Sequence, residues 1–424
     1  MDQPAKVESQ ASAGAVMVLL LAGLMSLNAL AIDIMLPALP AMAAELGLTD
    51  PAHEQWVILV FAAGMGVGQL FFGPLSDRYG RKPVLLISLL VYAGFAAACN
   101  LSPSFEALIA FRLLQGIASA GGRVIAVAVV RDQFHGDVMA STMSMVMTVF
   151  MVVPILAPTL GQFILGFGDW RAIFWFLCLF SLFMTFACSV RLPETLPPER
   201  RRPLSVRALG AAYFEVLRSP ITLWYTLALG FVFGRLLGYV SSAEQIFRGF
   251  GKEDSFVYYF AGVAAGMSVG NFVNARIVRA FGTRRVAHIA LLFFVGVQAI
   301  YVAFVLFGEP GFPGFYAATL LGFMFLGMIG ANFNAIALEP MGHLAGTASA
   351  LLGFSSTTLA ALLGSTSASL GEQIEALFGH VGEGHMWGTS LGDLLLSVFA
   401  LFCILVADRR RFLDLGAPGR AVAA

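Results

Sequence analysis

About twelve long apolar runs, separated by short polar loops, limit this chain more than any other feature. They fall at roughly 15–38, 54–76, 83–101, 105–130, 138–166, 171–190, 220–247, 255–278, 286–308, 312–338, 344–370 and 387–408. A helix needs roughly 20 mainly apolar residues to cross a bilayer. The strands of a membrane barrel would instead alternate polar and apolar residues over about ten positions. The runs here are unbroken, so the expectation is an all-α membrane protein. The chain is 58 % hydrophobic and only 12 % charged, with a mean hydropathy of +0.83. That is too apolar for a soluble domain of this length.

The formal charge of zero hides an asymmetry. Counting through the spans places Lys6, Arg78, Arg81, Lys82, Arg131, Arg200, Arg201, Arg202, Arg207, Arg218, Arg276, Arg279, Arg284, Arg285, Arg409, Arg410 and Arg411 on one side. The opposite loops carry mainly acids, among them Glu45, Asp50, Glu54, Glu106, Asp169, Glu309, Glu372, Glu375 and Glu383, with Arg171, Arg248 and Lys252 as cations. Basic loops stay cytoplasmic, so both termini are expected inside. Ala29-Leu30-Ala31 has the look of a cleavage site but lies within a span-length run. The start of the chain therefore reads as a first span rather than a cleaved signal. Cys99, Cys178, Cys188 and Cys403 all lie in apolar spans and read as small buried hydrophobes without a disulfide.

The longest polar, proline-rich stretch, from Arg191 to Arg202, follows the sixth run. The organisation read from it is an N-terminal tail over 1–14, a six-helix half over 15–190, a linker over 191–219, a second six-helix half over 220–408 and a tail over 409–424. The halves look like a degenerate repeat. Gly80 followed by Arg81 and Lys82 matches Gly282 followed by Arg284 and Arg285, and an offset of 202 residues also sets Asp33 opposite Arg235. Parallel six-helix repeats are one way to build a transporter.

Two groups of residues carry chemistry. The first is the loop Gly73-Pro74-Leu75-Ser76-Asp77-Arg78-Tyr79-Gly80-Arg81-Lys82, between the second and third runs. Asp77 ends one helix, where a carboxylate is poorly placed for that helix's own dipole. It suits the N-terminus of another, such as the start of the eleventh span near Gly342, Gly346 and Thr347. The second group comprises Asp33, Arg112, Arg123 and Arg235, which interrupt apolar runs. Charges inside a membrane are costly and point to function. Asp33 and Arg112 lie at similar depth, roughly 8–10 Å below one surface at 1.5 Å per residue. They can pair if their helices are neighbours, either as a fixed ion pair or as a group that holds and loses a proton. Arg123, eleven residues beyond Arg112, either snorkels or meets substrate. Arg235 either acts electrostatically on Asp33 or binds an anionic group.

The Gly73–Lys82 loop resembles the pattern G-x-L-x-D-R-x-G-R-K of the major facilitator superfamily. This resemblance implies twelve helices in two pseudo-symmetric six-helix bundles and a cytoplasmic latch at Gly73, Asp77, Arg78, Gly80 and Arg81. In the second half Arg279 stands where an Asp would, which implies a one-sided latch. Arg112-Leu113-Leu114-Gln115-Gly116 resembles the R-x-x-Q-G motif of drug:proton antiporters and implies a role for Arg112 and Gln115. Pro154-Ile155-Leu156-Ala157-Pro158-Thr159-Leu160-Gly161-Gln162 resembles the antiporter motif G-P-x-x-G-G, with Ala157 and Gln162 in place of glycines. It implies a helix bend at Pro154, Pro158 and Gly161 that seals the cavity. Ala31 to Pro40, Asp169 to Phe174, Glu194 to Arg201 and Ala345 to Ala350 resemble the bicyclomycin-resistance branch of these antiporters. That implies an exporter of drugs or small metabolites in a bacterial inner membrane.

The chain has no G-x-x-x-x-G-K-[ST] loop, and its six His show no metal-ligand spacing. Neither an ATP-driven pump nor an enzyme is expected. The reading is a monomeric transporter with a small-molecule substrate, protons and the lipid bilayer as its partners, no nucleic acid, no cofactor, and the proton gradient as its energy source. The rivals are an uptake carrier or uniporter of the same fold and a non-transporting receptor or scaffold.

Overall fold

Backbone in hydrocarbon has no water to bond, so each apolar run closes its own hydrogen bonds as a helix. The computed structural model describes residues 3–48, 50, 52–134, 136–201, 206–307, 311–378 and 386–409. Its helices are α1 (Gln3–Asp33), α2 (Leu39–Glu45), α3 (Ala52–Tyr79), α4 (Arg81–Asn100), α5 (Phe105–Gln133), α6 (Gly136–Leu165), α7 (Arg171–Arg191), α8 (Val206–Arg218), α9 (Pro220–Gly249), α10 (Phe256–Phe281), α11 (Thr283–Phe307), α12 (Gly311–Leu338), α13 (Ala345–Phe378) and α14 (Met386–Ala407). Among the described residues, twelve helices are long and apolar enough to cross a membrane. Arg202, Glu309, Glu383, Arg410 and Arg411, which the charge count used, lie outside the described residues.

Local signals set several helix starts. Ser104 caps α5, its Oγ accepting from the Ala107 N–H at 3.3 Å. Ser219 caps α9 just ahead of Pro220, where the missing proline N–H costs nothing. The first span differs from the sequence reading, which ended it at residue 38. The chain breaks after Asp33, turns through a 3-10 segment at Leu36–Ala38 and resumes as α2. Pro37 and Pro40 explain the break, because neither can donate to the preceding turn. Within the linker, α8 is a short helix that buries Val216 and exposes Phe214 and Leu217.

The chain divides into two units, Met1–Thr49 with Val60–Val206 and Asp50–Leu59 with Arg207–Ala424. In the first, α4 packs on α5 and α7, and α1 packs on α5, α6 and α7. In the second, α9 packs on α12, α13 and α14, and α12 on α10 and α11. The repeat shows in the backbone contacts. A Cβ at Gly68 would overlap the Ile117 carbonyl oxygen where α3 crosses α5. A Cβ at Gly270, 202 residues on, would overlap the Met324 carbonyl oxygen where α10 crosses α12. Small residues at the crossing let membrane helices approach closely. Gly80 and Gly282 are related by the same offset, and both adopt positive φ, at 103° and 81°.

Candidate functional site

In the first unit, polar chemistry gathers where α1 breaks. A helix end leaves its last carbonyls without helical donors. Arg112, fully buried on α5, donates from Nη2 to the Ala31 carbonyl at 3.1 Å. Its Nη1 donates to Gln115 Oε1 at 3.0 Å. Its guanidinium lies over the Phe61 ring, 4.3 Å from the centroid. Cation–π contact and two hydrogen bonds together hold a charge that could not otherwise be buried.

Asp33 is 5 % exposed. The sequence reading paired it with Arg112. The helices are neighbours, but among the described residues no ion pair joins the two side chains. Arg112 instead satisfies the carbonyl that the helix break sets free. A main-chain acceptor two residues before Asp33 has displaced the expected carboxylate.

The α6 motif meets the same break. A Cβ at Gly161 would overlap the Ile34 carbonyl oxygen and press on Pro37 at 3.1 Å, so only glycine fits against the turn. Pro154 and Pro158 both lie inside α6, and each removes one helical hydrogen bond. Arg123 does not join this cluster. It is exposed, and eleven residues put it about 16 Å along α5 from Arg112.

The second unit has a charged centre of its own. Arg235 on α9 is 3 % exposed and its Nε lies 3.3 Å from Asp393 Oδ2 on α14. Phe294 and Phe323 flank the guanidinium, with ring centroids 5.2 and 5.3 Å away. The sequence reading missed Asp393. The rule that singled out Asp33, a charge within an apolar run, applies to it equally.

At the loop between α3 and α4, Arg81 is the hub. It pairs with Asp77 at 2.6 Å and with Asp132 at 2.9 Å, and donates to Ser76 Oγ at 2.7 Å. Glu194 reaches back from beyond α7, accepting from the N–H groups of Arg81 at 2.9 Å and Lys82 at 3.2 Å. A carboxylate at this helix N-terminus satisfies open N–H groups and meets the favourable end of the dipole. A Cβ on Gly80 would lie 2.5 Å from that carboxylate. The Gly73 carbonyl accepts from Ser76 Oγ at 2.9 Å, and Arg78 is exposed. Glu194 belongs to the stretch that the resemblance singled out, but its partners lie more than a hundred residues away and no local pattern names them. The second unit's equivalent loop lacks the Asp yet has a cluster of its own: Arg284 binds Asp408 and Glu339, each at 2.6 Å, and Asp408 also accepts from Tyr225 Oη at 2.6 Å.

Residues 21–365 match the family model described as Major Facilitator Superfamily. The chain belongs to the Major Facilitator Superfamily. Its relatives include a bicyclomycin resistance protein homolog of Haemophilus influenzae, 32 % identical over 329 residues that cover 76 % of this chain and 81 % of the relative. They also include the multidrug transporter MdfA of Edwardsiella ictaluri, 29 % identical over 313 residues, 73 % of this chain and 76 % of the relative. This superfamily member is thus a multi-pass membrane transporter rather than an enzyme, and its relatives fall in the drug-resistance branch that the motifs resemble. Solved structures share the superfamily fold. The D-xylose-proton symporter aligns with a TM-score of 0.70 at 16 % identity, over 91 % of this chain and 96 % of that one. The human organic anion transporter MFSD10 aligns at 0.67 and 19 % identity, over 93 % and 99 %.

Proposed function

We propose that this transporter exports drugs or small amphipathic metabolites in exchange for protons, in a bacterial inner membrane with both termini inside. The observation that carries this reading is Asp33: a buried carboxyl without an ion-pair partner among the described residues, beside an arginine bonded to its own helix. An uncompensated carboxylate in apolar surroundings is costly. Loss of the proton draws the Arg112 guanidinium from the Ala31 carbonyl to Asp33, and gain of the proton returns it. The α1 break then has two arrangements, and proton occupancy selects between them. The proton gradient supplies the energy, and the chain acts as a monomer. The Gly80 loop, with Asp77 and Arg81, serves as the latch of the cytoplasmic face. Relatives described as bicyclomycin-resistance and multidrug proteins support the direction and substrate class.

The test is accumulation of a fluorescent drug panel in cells that express the protein and lack their own exporters. Lower accumulation of at least one compound, restored by a protonophore and by Asp33→Asn, is the expected result. Higher accumulation would replace export with uptake. A level indifferent to protein, protonophore and substitution alike would leave no export to explain.

A further inference from the structure

The last residue of α8, Arg218, is followed by Ser219 and then by the proline that opens the α9 span. Ser219 is extended, with φ −77° and ψ 111°, so α8 does not continue the span but leaves it where the span begins. The sides of α8 differ in a regular order. At about 100° per residue, the buried Val216 shares one arc with the half-buried Leu209 and Tyr213. Next round the helix come Leu217 and Phe214, 47 % and 56 % exposed. Arg207 and Arg218, both exposed, come after them, and the Arg218 guanidinium lies 4.2 Å from the Phe214 ring centroid. Residues 199–218 hold five Arg against two Glu, on the basic side of the span count.

An apolar strip bordered by cations, at the mouth of a span, suits the boundary between acyl chains and headgroups. We propose that this flank of α8 binds anionic phospholipid of the leaflet in which α9 begins, with Leu217 and Phe214 against the acyl chains and Arg207 and Arg218 on the phosphates. Size favours lipid over a protein partner. Two exposed apolar side chains fall far short of the roughly 800 Å² per partner that a stable protein interface buries. Charge selects the lipid class. Arginines clustered beside a span attract anionic headgroups, whereas a zwitterionic headgroup has no net charge to answer them. The site does not depend on which solute the chain moves or on what drives the movement.

The test uses the full chain in lipid nanodiscs, with Leu217→Cys labelled by the fluorophore NBD. Cys99, Cys178, Cys188 and Cys403 are each 6 % exposed or less, so the introduced thiol takes the label. Matched discs contain the same small fraction of phosphatidylglycerol or of phosphatidylcholine with a nitroxide high on the acyl chain, which quenches NBD on contact. Quenching by the phosphatidylglycerol is expected to exceed that by the phosphatidylcholine at least about threefold. Adding Arg207→Gln and Arg218→Gln keeps the apolar strip and should erase the difference while the thermal midpoint stays unchanged. Salt at about 1 M, where charges are screened within about 3 Å, should erase it without any substitution. Quenching by neither lipid would place the flank in water or against protein and overturn the proposal. Equal quenching by the two lipids, or a preference that survives both the arginine substitutions and the salt, would overturn it as well.

Discussion

Arg112 Nη2 donates to the carbonyl of Ala31 at 3.1 Å, two residues before the buried carboxyl of Asp33. This bond links the fourth span to the break in the first. It also sets the choice open to the guanidinium, which can hold the helix end or a charged Asp33. Lysine cannot imitate it. A guanidinium serves Ala31 and Gln115 from two nitrogens at once, whereas an ammonium is a point donor. Arg112→Lys should therefore preserve the positive charge yet lower drug export at least tenfold, measured as efflux rate from loaded cells. Export at the wild-type rate would show that charge alone suffices.

Gly161 should tolerate no side chain. Its place against the Ile34 carbonyl means that Gly161→Ala must push α6 away from the α1 turn. Forcing one extra carbon into a packed contact costs about 1–3 kcal/mol. Thermal unfolding in detergent should show a lower midpoint, with Gly161→Val lower still. An unchanged midpoint in both would mean that the two helices separate freely.

How much of this could be read beforehand depends on the range of the interaction. The twelve spans were legible because length and hydropathy are local properties. The repeat was legible because Gly80 and Gly282 repeat a turn that only glycine makes without strain. The break after Asp33 was written in Pro37 and Pro40, yet an apolar count runs straight across it. The partner of Arg112 was not legible, since depth along a helix gives no sign that a main-chain oxygen lies nearer than a carboxylate. Asp393 was visible as a charge in an apolar run, but its partner Arg235 lies 158 positions away in the sequence. Glu194 is a similar case: its role as a cap for α4 exists only once the chain has folded back.

Glu194 should act chiefly through that cap. Glu194→Ala removes the acceptor for both Arg81 and Lys82 N–H groups, and loss of a cap costs about 0.5–2 kcal/mol. Hydrogen exchange of the amides of residues 81 to 85 should quicken selectively, while exchange in α12 stays unchanged. Uniform change along the chain, or none, would argue against a local cap.

The Arg235–Asp393 pair should be non-additive. Arg235 is buried while the Asp393 side chain is 23 % exposed, so removing Asp393 strands the buried cation at a cost of up to about 3–5 kcal/mol, and removing Arg235 costs less. Asp393→Leu should lower the unfolding midpoint markedly, and Arg235→Met should lower it less. The double variant should be more stable than Asp393→Leu alone, because no stranded charge remains. Additive losses would show that the two side chains act independently.

The central claim is that a proton on Asp33 is exchanged for substrate, and the most direct test is proton movement in liposomes that hold purified protein and a pH-sensitive dye. A pH gradient is imposed and the drug panel added to wild type and to Asp33→Asn. The account predicts substrate-dependent proton movement in wild type and none in the variant. Substrate movement without protons, equal in wild type and Asp33→Asn, would contradict it and leave a facilitator of the same fold.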